Sequence, residues 1–132
     1  MPTASVLTIN DGAATPVAHS FTPRGFVGPD LTTLIDLDHN TPAACPSFSL
    51  SLSPSTSNRR TNRVKISFAY PKTAVSVVDG AERLVYTARF NADVVIPDDM
   101  AVADRWDFAA FIKNAFADPL INDYIKELDP IW

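Results

Sequence analysis

Residues 47–71, SFSLSLSPSTSNRRTNRVKISFAYP, constrain the chain more than any other stretch. Phe48, Leu50 and Leu52 alternate with Ser47, Ser49, Ser51 and Ser53. After a basic loop, Val64, Ile66 and Phe68 alternate with Arg63, Lys65 and Ser67. A period of two sends one set of side chains to each face of a β-sheet. One face is apolar and needs a cover. The other carries rows of hydroxyls, a guanidinium and an ammonium, groups that suit phosphates and base edges.

Charge points the same way. The chain is 132 residues long with a net charge of −4, so it is no polycation. Yet from His39 to Val78 there is no acid and there are five bases: Arg59, Arg60, Arg63, Lys65 and Lys72. From Asp79 onward eleven acids face five bases. A polyanion would meet one surface of such a protein rather than the whole of it. The plainer alternative is a solvated loop.

The remaining segments set the fold class. Residues 5–10 and 16–22 flank Asp11-Gly12, a hairpin signal, and Pro23-Arg24-Gly25 is expected to end the second run. Residues 31–37 form a third strand candidate, and the two strands above are the fourth and fifth. A loop is expected near 72–82, then a long sixth strand near 83–96. At Pro97 the spacing becomes helical. Asp98 or Asp99 is expected to cap a helix over about 99–117, and Asp118-Pro119 opens a second helix that Pro130 stops. Strands followed by helices predict an α+β fold with an antiparallel sheet, read as one domain over 1–132 with the sheet in 1–96 and the helices in 97–132. The apolar content of both parts predicts mutual burial in a dimer.

Catalytic and metal chemistry is not expected. His19 falls inside a strand and reads as a packed or exposed strand residue. Asp36, Asp38, His39 and Asn40 suggest a metal loop, but Thr41 and Ser47 stand where a calcium loop needs Gly and Glu. There is no Gly-x-Ser-x-Gly element and no glycine-rich phosphate loop. Cys45 is the sole cysteine, which excludes an internal disulfide. No cofactor, metal, signal peptide or membrane span is expected.

Three stretches resemble a known family, the coat proteins of single-stranded RNA bacteriophages, with Qbeta-type members nearest. They are Pro23-Arg24-Gly25, SLSPSTSNRRTNRVKISFAYPKTA at 51–74, and the C-terminal ADPLINDYIKELDPIW. The resemblance implies an N-terminal hairpin, an antiparallel sheet of about five strands and two helices, in an intertwined dimer where helices of one subunit cover the sheet of the other. It implies a virion protein, assembled in the cytoplasm of a bacterial host, that builds an icosahedral shell of triangulation number three. It also implies binding of genomic RNA and of a replicase-start hairpin, with translational repression. Carried over by position, the RNA-facing residues would be Ser49, Ser51, Thr61, Arg63, Lys65, Arg89 and Asn91. Arg89 stands where the family has a base-stacking tyrosine, and Asn91 where it has an aspartate. Residues 72–82 lack the family's cross-linking cysteines. The rival reading is a dimeric sheet-based RNA-binding regulator that builds no shell. For Ser49 and Ser51 the plainer alternative is an exposed strand, and for Arg63 and Lys65 it is solubility.

Overall fold

The computed structural model describes residues 5–28, 31–39 and 41–128. The chain forms two compact units, Met1–Val95 and Ile96–Trp132.

The first unit is built on a six-stranded sheet whose spatial order is the order of the chain, β1(Leu7–Asn10), β2(Ala18–Gly28), β3(Leu31–Asp36), β4(Ser47–Ser53), β5(Thr61–Val75) and β6(Glu82–Pro97). Each strand pairs with the next, and pairs β1–β2 to β4–β5 are antiparallel. The N-terminal hairpin is thus continuous with the sheet. Its connection is longer than a two-residue turn. Asp11 organises it by accepting hydrogen bonds from the amides of Ala13 at 3.1 Å and Val17 at 3.0 Å, as aspartate does in Asx turns.

Pro23-Arg24-Gly25 does not end the second strand. Pro23 pairs with Leu34 and Phe26 with Thr32, so Arg24 and Gly25 lie opposite Thr33 alone. Two residues facing one is a β-bulge. A bulge is where a strand tolerates proline, because the ladder there does not need its missing N–H. The expected loop at 72–82 is also shorter. β5 runs to Val75, and the turn closes with Ser76 N–H on the Ala81 carbonyl and Gly80 N–H on Ser76, both at 2.9 Å. Gly80 sits at φ +68°, the left-handed region that glycine enters without penalty. The Thr73 hydroxyl donates to Glu82 across the strand ends at 2.5 Å.

The apolar face follows the alternation. Phe48 pairs with Phe68 and Leu50 with Ile66. Phe48 and Phe68 stack at 4.4 Å, and Phe21 meets Phe48 edge-on at 5.0 Å. Among the described residues, Phe21, Leu34 and Ala44 are the buried hydrophobic ones. This core is thin for the apolar content of the chain. Tyr70, Val77 and Leu84 remain exposed.

The second unit holds α1(Val102–Ala117) and α2(Pro119–Glu127). α2 starts as its sequence predicts: the Asp118 carboxylate accepts from Leu120 N–H at 2.9 Å and Pro119 occupies the first turn. Leu128 ends it in the left-handed conformation at φ 57°. Pro130 lies outside the described residues. α1 starts later than expected. Pro97 and Met100 close their own turn at 3.3 Å, which holds Asp98 and Asp99 outside the helix. Ala101 is then the N-cap, with no side-chain bond. Neither helix has a buried residue, and Trp106 and Phe111 are 74% and 73% exposed.

Candidate nucleic-acid interface

The polar face of the sheet is laid out by register. Ser47 lies opposite Ala69, Ser49 opposite Ser67, Ser51 opposite Lys65 and Ser53 opposite Arg63. On the other side of β4, Thr33 pairs with Ser49. A ladder of small hydroxyls therefore runs along β4, with cations against one half of it and hydroxyl or methyl groups against the other. Lys65 and Arg63 are both exposed. Successive same-face residues on a strand are about 7 Å apart, close to the phosphate spacing of an extended nucleic-acid strand.

β6 brings Arg89 and Asn91 to this face. They line a shallow depression of about 80 Å³ together with Ser47, Ser49, Ser67 and Ala69. Of the expected residues, Ser49, Arg89 and Asn91 thus meet at one place. Ser51 and Lys65 form the next rung and Arg63 the one beyond. Thr61 begins β5, beyond the last rung of the β4–β5 ladder, and its carbonyl accepts from Arg59 Nε at 3.3 Å. Ser47 and Ser67 were not among the expected residues. The alternation already carried both, since each continues the polar set of its strand by one step.

The basic loop divides its labour. The Arg59 guanidinium donates to the Pro54 carbonyl at 3.0 Å and so fastens the loop to itself. Among the described residues no carboxylate pairs with Arg63, Lys65 or Arg89; the ion pairs join His19, His39 and Arg83 to aspartates elsewhere. A surface of exposed cations, hydroxyls and an amide offers hydrogen-bond donors throughout, which suits phosphate, ribose and base-edge acceptors.

Comparison with known proteins agrees with this architecture. The Levivirus coat protein family profile matches residues 2–132. The chain belongs to the levivirus coat protein family. It is accordingly a structural coat protein and not an enzyme. Among solved structures, the virus-like particle of bacteriophage ESE058 is similar at 23% identity and a TM-score of 0.86, covering 99% of this chain and 100% of that one. The virus-like particle of Beihai levi-like virus 21 is similar at 17% identity and a TM-score of 0.88, covering 99% of each chain. The capsid protein of bacteriophage GA is similar at 18% identity and a TM-score of 0.80, covering 97% of each. At these identities the likeness is one of fold. No curated protein sequence matches the chain.

The opposite face of the sheet holds a larger cavity, about 440 Å³, walled by Phe21, Phe48, Phe68 and Tyr70. Asp11, His19, Asp36 and His39 form its polar side. Among the described residues no group of three or more His, Cys, Asp or Glu side chains is arranged to hold a metal ion.

Proposed function

We propose that this chain is the coat subunit of an RNA phage. Two copies intertwine into a dimer, dimers close into an icosahedral shell of triangulation number three, and the polar sheet face lines the interior against genomic RNA. The observation that carries the RNA half is the β4–β5 ladder, with serines facing Lys65 and Arg63 on one side of the sheet and paired aromatics on the other. The shell half is supported by family membership and by relatives whose structures are virus-like particles. The dimer is supported by helices without a single buried residue. In this reading sheet and helices work as one coat domain over 1–132, assembled in the host cytoplasm and carried in the virion. A kinship nearest to Qbeta-type members, drawn from residues 51–74, belongs to the same proposal.

Ser49, Ser51, Thr61, Arg63, Lys65, Arg89 and Asn91 form the RNA-contacting set. The same face binds a replicase-start hairpin and so represses translation. Expression of the chain with its RNA, followed by sizing chromatography and electron microscopy, tests the shell. Particles in the void volume carrying nuclease-protected RNA are expected. A dimer that binds hairpins and builds no particle would instead favour the sheet-based regulator.

A further inference from the structure

Among the described residues, the one fully buried side chain of this sheet is a carboxylate. Asp36 is 0% exposed and stands on the apolar face, opposite Phe21 across the β2–β3 ladder. A charge removed from water in this way needs close partners to be tolerated. Asp36 has three. Its Oδ1 accepts from Asp38 N–H at 3.1 Å. Its Oδ2 lies 3.1 Å from Nδ1 of His19 and 3.5 Å from Nε2 of His39. His19, on β2, turns its other nitrogen to Oδ2 of Asp11 at 3.2 Å.

Both ring nitrogens of His19 therefore face carboxylates. A neutral imidazole has one N–H and one lone pair, so it satisfies one carboxylate and repels the other. Only the protonated ring donates to both. We propose that His19 is a proton-operated latch: charged, it fastens the β1–β2 hairpin to β3 through Asp11 and Asp36, and neutral, it lets that edge of the sheet loosen. The latch acts on the sheet edge farthest in strand order from β6, so it stands apart from the RNA surface and goes beyond the coat function.

The titratable groups around the ring are Asp11 on the hairpin loop, Asp36 on β3, His39 in the segment after it, and Tyr70 of β5 across the same cavity. The hydrogen bonds to Asp11 and Asp36 raise His19 above its ordinary 6.5, against a smaller opposing effect of desolvation. Asp11 is held below its ordinary 3.8 by the Val17 and Ala13 amides and by His19. Burial pushes Asp36 up, but the Asp38 amide and the two imidazoles outweigh it and leave it below 3.8. The directions fix the window. A raised histidine stabilises fully below 6.5, and that contribution is lost as pH climbs through its raised value. Lowered aspartates stabilise above 3.8, and theirs is lost as pH falls through their lowered values. The latch is closed from 3.8 to 6.5 and opens on the alkaline side.

The test is hydrogen exchange read by mass spectrometry on the assembled protein, corrected for intrinsic rates, between about pH 5 and about pH 9. Wild type should lose protection several-fold across 7–10 and 18–21 as pH rises, while 47–53 and 61–69 stay constant. His19→Gln should abolish the pH step, and His39→Gln should retain it. Exchange at the imidazole carbon gives the midpoint of each histidine directly, and His19 should titrate above 6.5. A His19 midpoint at or below that value, or a step that survives His19→Gln, overturns the latch. A step that vanishes in His39→Gln and persists in His19→Gln overturns it in favour of the other imidazole. Should His19→Gln fail to fold, the wild-type midpoint and the His39→Gln profile still decide.

Discussion

Single side chains on the two faces of the sheet carry separable duties. Lys65 is exposed and paired across the ladder with a serine. Its truncation removes no packing. Lys65→Ala is expected to weaken RNA binding and to lower the salt slope by about one, at an unchanged melting temperature. Arg89 shares its depression with Asn91 and three serines, and its planar fork suits a base edge or a base face. Arg89→Ala should therefore cost discrimination between hairpins more than overall affinity. Filter binding of both variants on several hairpins checks the pair; unchanged affinity and selectivity would move the RNA surface elsewhere. On the apolar face the effect is on stability. Phe48 stacks on Phe68 and meets Phe21, and Phe48→Ala should cost about 2–3 kcal/mol, a little under a fully buried phenylalanine. Cys45 donates its thiol to the Thr41 carbonyl at 3.3 Å and is half-buried. It behaves as a small apolar residue, and dithiothreitol should leave the melting temperature of the particle unchanged.

Among the elements, helix starts and strand turns decide what tolerates change. Asp118 caps α2 through Leu120 N–H, so Asp118→Ala should cost about 1 kcal/mol in a thermal melt followed by circular dichroism. Asp99 lies before the Ala101 N-cap, so Asp99→Ala should stay within about 0.5 kcal/mol. Equal losses in the two variants would mean that the helix begins earlier than Ala101. The β5–β6 turn carries Val77 and Val78 at its tip, 102% and 96% exposed. Beneath them, Asp79 accepts from Ala81 N–H and from Arg83, both at 3.1 Å. The turn is thus internally braced and presents two apolar side chains outward. The turn is expected to lie at the proposed contacts between dimers, so replacing both valines with serine should leave the fold intact and reduce the yield of particles, as counted by electron microscopy. Normal particle yield would count against that placement.

For the whole molecule, the balance of buried and exposed apolar surface is decisive. Trp106, Phe111, Tyr124 and Ile125 all stand at least half exposed. Each apolar side chain brought out of water contributes about 1.5–3 kcal/mol, and an uncovered patch of this size promotes association. The smallest stable species is expected to be the dimer. Light scattering at micromolar concentration checks it, and a folded monomer there would contradict the proposed intertwining. The order of strands and helices was legible along the chain because each element announces itself locally. What covers the apolar residues was legible only as an excess of them.

Local periodicity settled the β4–β5 ladder, the polar and apolar faces, and the Asp118-Pro119 start of α2. Each rests on neighbours within a few residues, where side-chain direction follows from backbone geometry alone. Tertiary structure decided the rest. Pro23 continues β2 in register with Leu34 because β3 accommodates a bulge at Arg24 and Gly25, opposite Thr33. Asp98 and Asp99 lose the cap because Pro97 and Met100 close a turn first. Ser67 joins Arg89 only when β5 and β6 align. Asp36 resembles a loop carboxylate until folding buries it beside His19, 17 positions away in sequence. Its pairing with His19 is chosen by strand register, a long-range property that no window along the chain contains.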